Sequence, residues 1–475
     1  MSLELLTASF IVFFLFVDLF MKDAKRTLAI LFPLVMLMLL AFAIGHRKDG
    51  VLLNGAYVAD GLSWFAKIII LSGAFLTGLL SVNYVKMRPQ HAGAYYALLT
   101  SSILGMLFLV SSRELITLYV SLETSTFCLI GLTAFYKRDE YSLEAGLKYL
   151  VIGAISSGIL LYGISMVYAS TATTYLDGIL AFTSVHSPTP FLVIGVIMMI
   201  LGIGFKLSIV PMHVWTPDVY QGSPTPITAF ISVVSKAAGF VFAVRILMGT
   251  FANLAPIWAP VIAILSFLTM TIGNLIAIPQ KNIKRLMAFS AISQAGYILF
   301  GFLSTPELGV SSIIFYLLVY TFMNIAAFAT ISAFEHATGF ENIEDYAGLA
   351  RQEPILALAL LFSLLSLAGV PPFAGFFGKY YLFYALMKKG YMWLVIAGAV
   401  NSTIALYYYL LVLKQVYIFD RKKEYPKIVL PISVKIALII TIAVIVLLGI
   451  FPTPVVNITA EIARQLFPVT GMLPN

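Results

Sequence analysis

From residue 3 to residue 451 the chain is a succession of apolar runs, each about twenty residues long, separated by short polar turns. A run of that length crosses the hydrocarbon core of a bilayer as one helix, and about fourteen of them follow one another. The first eight cover about 3–21, 27–45, 61–84, 92–111, 113–135, 143–169, 190–220 and 225–249. The remaining six cover about 256–278, 283–304, 309–336, 353–388, 391–419 and 429–451. Composition agrees, since 61% of the 475 residues are hydrophobic and only 11% are charged. No soluble core needs that balance. The fold class that follows is an all-α polytopic membrane protein. The seventh and twelfth runs are too long and too rich in proline to be single straight helices.

The first run carries Glu4 and Asp18 but no leading Lys or Arg, and the basic cluster Lys22, Lys25 and Arg26 follows it. That order is the reverse of a secretory signal, so residues 3–21 read as a retained helix. Basic residues then set the orientation. The turns after spans one, three, five, nine and thirteen hold Lys22/Lys25/Arg26, Lys86/Arg88, Lys137/Arg138, Lys281/Lys284/Arg285 and Arg421/Lys422/Lys423/Lys427. The other side has mainly Arg47/Lys48, Arg113 and Lys388/Lys389. The richer side is cytoplasmic by the positive-inside rule, which places both termini outside. The net charge of +8 is therefore a topology signal, and nothing points to nucleic acid.

Against this apolar background five charges stand out: Glu123, Lys148, Lys206, Lys236 and Lys379. A charge at the bilayer centre costs about 3 kcal/mol on insertion scales, so each is a functional candidate. Glu123 and Lys236 fall ten or eleven residues into their spans, about 15 Å from the surface at the helical rise. Lys148 follows Glu144 by four residues and shares its helix face, nearer the cytoplasmic end. Lys67, close to the start of its span, reads as a snorkelling lysine. His213 is either a proton relay or a packing residue.

Two stretches resemble each other. Residues 202–226, GIGFKLSIVPMHVWTPDVYQGSPTP, carry Lys206 five residues before Pro211, and residues 366–384, SLAGVPPFAGFFGKYYLFY, carry Lys379 after Pro371 and Pro372. They lie five spans apart, an odd number, so they run in opposite directions across the membrane. That is the pattern of an inverted repeat with broken helices at its working sites. Backbone freed at such breaks is satisfied only inside protein or beside water. Burial favours a neutral lysine or glutamate, and pairing the two restores their charges. Making and breaking a pair such as Glu123–Lys206 can therefore drive protons along a row of lysines, whose titrations are then coupled.

Electron chemistry has little to build on. Cys128 is the single cysteine, leaving no internal disulfide and no cysteine-bound iron–sulfur cluster. No span holds two of His46, His91, His186, His213 and His336, so a bis-histidine haem site has little to build on. No cofactor is expected in this chain.

The segments SLEAGLKYLVIGAISSGILLYG, GFKLSIVPMHVWTPDVYQGSPTP, NIKRLMAFSAISQAGY and LAGVPPFAGFFGKYYLF resemble the N subunits of respiratory complex I, NADH–quinone oxidoreductase. The resemblance runs from about residue 60 to residue 450. It implies fourteen helices: an N-terminal group over 1–91, antiporter-like repeats over 92–250 (helices 4–8) and 251–420 (helices 9–13), and helix 14 with a tail over 421–475. It also implies breaks in helices 7 and 12. It assigns Glu123 as the buried glutamate, Lys206 as its partner, Lys236 as the central lysine and Lys379 as the lysine towards the outlet. Glu144 and Lys148 become the pair at the head of helix 6. Many relatives have a histidine where this chain has Gln294, and an amide can orient water but carries no charge.

Within complex I the L subunits carry a long lateral helix, for which the roughly 24 residues after Phe451 are too few. The M subunits carry a glutamate in place of Lys379. The resemblance implies a multi-pass protein of a bacterial inner membrane. Neighbouring membrane subunits are its expected partners, with flavin, iron–sulfur clusters and quinone held in other subunits. An Mrp-type cation/proton antiporter, or a ferredoxin- or hydrogenase-linked complex, uses the same lysines and stays open as an alternative.

Overall fold

The computed structural model describes residues 1–87, 91–421 and 428–467. Arg88, Lys422, Lys423 and Lys427, counted above among the basic turns, lie outside the described residues, as does the side chain of Lys86. Among the described residues thirteen helices are long and apolar enough to cross a membrane. The expected twelfth span is the exception, because it forms two shorter helices, Pro354–Ala368 and Ala374–Lys388. Counting that pair as one restores fourteen.

The first break falls where the prolines placed it. The seventh span runs Pro190–Leu207, turns through Ser208, and resumes as the short helix Thr216–Gly222. The eighth span, Thr225–Thr250, is buried over almost its whole length and irregular: π-helical turns over Ile231–Ser235 and Val244–Thr250 flank the α-helix Lys236–Ala243. A π turn widens the helix and often marks a functional position. Lys236 and Arg245 both sit at the edge of one.

Small residues let the spans approach closely, as membrane helices require without a hydrophobic drive between them. A Cβ on Gly163 of the sixth span would meet the Gly195 carbonyl of the seventh at 2.8 Å, and one on Gly202 would meet Leu160 at 2.6 Å. Spans three, eight, ten and eleven are about nine-tenths buried or more, whereas spans one, six and fourteen keep most of their surface outward. The charged row lies in and around that buried centre.

Three features have no counterpart in the apolar runs. A short hairpin pairs Gly50–Leu52 with Tyr57–Ala59. The helix Leu176–Val185 lies between spans six and seven. A polar-faced helix, Thr453–Leu466, follows the last span and is tied back by Arg464 to Glu307 at 3.0 Å. None is long enough to span a bilayer.

Candidate functional site

Lys206, Lys236 and Lys379 are 2%, 2% and 3% exposed, so all three are interior. Each ammonium is held by neutral oxygens. Lys206 Nζ donates to the hydroxyls of Ser125 at 3.0 Å and Thr126 at 3.2 Å, both on the fifth span. Lys236 Nζ donates to the Ala291 carbonyl on the tenth span at 2.8 Å. Lys379 Nζ donates to the Ala368 carbonyl and the Ser402 hydroxyl, each at 3.0 Å. It also stands 4.5 Å from the centre of the Tyr297 ring, a cation–π contact.

Among the described residues no salt bridge joins Glu123 to Lys206. Glu123 is half-buried and accepts instead from the Ser157 hydroxyl of the sixth span. Of the two hydroxyls that hold Lys206, Ser125 is two residues, about 200° of rotation, from Glu123. Thr126, three residues on, shares the Glu123 face. Glu123 and the two partners of Lys206 thus lie within one turn of the fifth span.

Gln294 sits between Lys236 and Lys379. It is one helical turn beyond Ala291, the acceptor of Lys236. Its amide nitrogen donates to the Leu367 carbonyl at 2.9 Å, next to the acceptor of Lys379. Its oxygen accepts from the Tyr316 hydroxyl at 2.6 Å, and the Tyr409 hydroxyl lies 3.4 Å from its nitrogen. An amide locked in three directions orients the polar groups around it, whatever it does with protons.

At the cytoplasmic end predicted from sequence, Lys148 bonds Glu144 at 2.6 Å and Asp218 at 2.7 Å. Arg285 holds the other Asp218 oxygen at 2.6 Å. Asp218 is thereby held between two cations. Lys148, with a side chain 39% exposed, is thus not interior like the other three lysines. His213 lies half-buried in the turn between the two pieces of the seventh span.

The sequence reading placed two lysines wrongly. Lys284 is no loop residue: it is 2% exposed, 2.5 Å from Glu341 and 3.6 Å from Glu335. Lys67 does not snorkel but is buried against Glu4, at 2.7 Å. Arg245, paired with Asp60 at 2.7 Å, was missed although it lies inside an apolar span. Its position near the span's end makes snorkelling the ordinary explanation. Among the described residues no group of three or more His, Cys, Asp or Glu side chains could hold a metal ion.

A family model described as NADH:quinone oxidoreductase/Mrp antiporter, transmembrane, matches residues 112–405, which include Glu123 and all three interior lysines. NADH-quinone oxidoreductase subunit N of Moorella thermoacetica is 43% identical over 431 residues, 90% of each chain. The chain belongs to the N-subunit family of NADH-quinone oxidoreductases. N subunits are antiporter-like, and the solved folds agree. A chain of respiratory complex I from Thermus thermophilus is 30% identical, with a TM-score of 0.83 over 96% of this chain and 99% of its own. A chain of the Mrp complex from Dietzia shares the fold at TM-score 0.86 over 99% of this chain and 98% of its own, with 20% identity.

Proposed function

We propose that the chain is a proton-translocating membrane-arm subunit of an NADH-quinone oxidoreductase, coupling electron transfer in partner subunits to proton movement. The observation that carries this reading is the row of interior lysines held only by neutral oxygens. A carboxylate in direct contact would hold each ammonium charged, whereas hydroxyls and carbonyls serve it without adding an opposite charge. Such a lysine can lose and regain its proton when a nearby charge moves. Glu123 is placed for that role, since it flanks the same helix turn as the partners of Lys206. Its approach holds the proton on Lys206, and its withdrawal frees it.

The released proton passes from Lys206 to Lys236, and from there past Gln294 to Lys379, with water completing the gaps that carbonyls cannot bridge. Lys148, with Glu144 and Asp218, admits protons at the cytoplasmic end, with His213 beside the first break. We read residues 92–250 and 251–420 as inverted repeats, because each contains one span interrupted at a Val-Pro step and one lysine at the break. Electrons stay with the flavin, iron–sulfur and quinone sites of partner subunits in a bacterial inner membrane. Sequence identity favours this assembly over an Mrp antiporter, whose likeness is one of fold.

The test is Lys236→Ala in the assembled complex. NADH-driven proton uptake by inside-out vesicles should fall at least about tenfold, on the scale of losing one proton-transfer group. Unchanged uptake would sink the reading.

A further inference from the structure

A second buried charge cluster lies near the outer face predicted from sequence, away from the lysine row. Glu4 on the first span is 1% exposed and Lys67 on the third is 7% exposed. Besides their ion pair, the Tyr57 hydroxyl links them: it accepts from Lys67 at 2.8 Å and donates to Glu4 at 2.8 Å. The second Glu4 oxygen faces the Met1 ammonium at 3.0 Å, so the carboxylate is held between two cations. Burying an ion pair is a poor source of stability, because desolvation offsets the attraction. An apolar trio could tie these three elements together as well.

The cluster is not sealed. Glu4, Tyr57 and Lys67 line a cavity of about 310 Å³, together with the polar loop that follows the second span. Asp60 lies on the wall of this cavity and of a second one of about 590 Å³, which Arg245 also lines. The charges around Glu4 therefore come from every side. The amino group of Met1 is 3.0 Å away on its own helix, and Lys67 faces it from the third span. His46, Arg47, Lys48 and Asp49 line the cavity from the loop. The Asp60–Arg245 pair adds the entry of the third span and the end of the eighth. Burial alone would raise the Asp60 carboxyl, but Arg245 overrides it and keeps the group anionic below its ordinary value. Burial, then the Glu4 carboxylate, pushes the Tyr57 phenol well above its ordinary value, so Tyr57 relays protons as a neutral hydroxyl.

The span that carries Lys67 also packs against the span that carries Lys236. Gly73 of the third span packs on Val234, two residues before Lys236. Lys67 lies six residues outward of Gly73, about 9 Å along the helix.

We propose that Glu4, Tyr57 and Lys67 form a proton-exchange site that discharges protons from the membrane interior into the outer cavity. The proposal rests on the proton-translocating reading above. Lys67 passes a proton to the Tyr57 oxygen as Tyr57 passes its own to Glu4, so the ion pair becomes an amine and a carboxylic acid. Glu4 then releases that proton to water in the cavity, and the neutral Lys67 takes the next one from the interior. One proton moves outward, and every group returns to its starting state.

The assembled complex in inside-out vesicles tests this, with Lys236→Ala run alongside. Infrared difference spectra of the parent complex on acidification should contain a protonated-carboxyl band that is absent from Glu4→Gln. Tyr57→Phe, which removes one oxygen and leaves the ion pair, should assemble and pump about threefold or more slowly, as expected for a lost relay group. Superimposable spectra, or parental pumping by Tyr57→Phe, would make the cluster a structural tie and overturn the proposal. Should Glu4→Gln not assemble, Tyr57→Phe decides alone. Normal pumping by Lys236→Ala would instead overturn the reading beneath it.

Discussion

At the first break Ser208 makes the left-handed turn, with φ 60°, while at the second Gly369 makes it, with φ 86°. The two turns then treat their freed carbonyls differently. At the first, the Phe205 carbonyl accepts from the Ser208 backbone at 3.1 Å and from the Trp215 indole at 3.1 Å. Its lysine reaches away from the break, to hydroxyls on the fifth span. At the second, the Leu367 and Ala368 carbonyls accept from Gln294, Lys379 and Ser402. Lys379 therefore caps its own broken helix, in the place where a helix C-terminus favours a cation, and Lys206 does not. The first break is a closed structural turn with a charge beside it. The second closes on the same kind of backbone turn, with Gly369 N–H on the Leu365 and Ser366 carbonyls, and adds the charge as a cap on its last carbonyl.

That difference separates two substitutions equal in chemistry. Lys206→Met and Lys379→Met should each lower NADH-driven pumping by about tenfold or more. Only Lys379→Met also strips a donor from a buried carbonyl, a loss of roughly 1–3 kcal/mol. Thermal unfolding of the assembled complex should therefore begin earlier in Lys379→Met than in Lys206→Met. Equal unfolding would show that Ser402 alone satisfies Ala368, and the contrast between the breaks would collapse.

A smaller effect is expected at Gln294, which serves the second break without carrying charge. Gln294→Leu leaves the Leu367 carbonyl and the Tyr316 hydroxyl unpartnered, and pumping should drop by about threefold to tenfold. Gln294→His restores a ring nitrogen able to donate to the carbonyl, and should recover most of that loss. Recovery with Leu as readily as with His would make Gln294 a packing residue.

The spans were legible in the sequence because twenty apolar residues in a row have few alternatives. Lys206, Lys236 and Lys379 were legible because a charge inside such a run is conspicuous. Partners were not. Lys67 sits six residues into its span, where a long side chain ordinarily reaches water, and its partner Glu4 is 63 residues away on another helix. Asp60 and Arg245, separated by 185 residues, met the same difficulty. Periodicity reports which face of a helix is buried and says nothing about which span lies against it. The Glu123–Lys206 contact failed for a related reason, because hydroxyls two and three residues along the fifth span reach the ammonium first.

Glu114 offers the finest probe of the contrast, since it caps the helix that holds the partners of Lys206 and touches nothing at the second break. Its carboxylate accepts from the backbone of Ile116 at 3.0 Å and of Thr117 at 2.6 Å. Burial pushes this carboxyl up, but the two N–H groups and nearby hydroxyls outweigh it and hold it below its ordinary value. A depressed carboxyl stabilises the folded form above its unfolded value, and that contribution is lost as pH falls through the depressed one. Glu114→Ala should thus cost about 1 kcal/mol, the usual worth of an N-cap. The difference from the parent should shrink as the medium is acidified below the ordinary carboxylate range. Because the fifth span positions Ser125 and Thr126, the variant should weaken the effect of Lys206→Met on pumping while leaving that of Lys379→Met intact. A double-mutant cycle measures this, and equal coupling to both lysines would mean the two breaks respond as one unit.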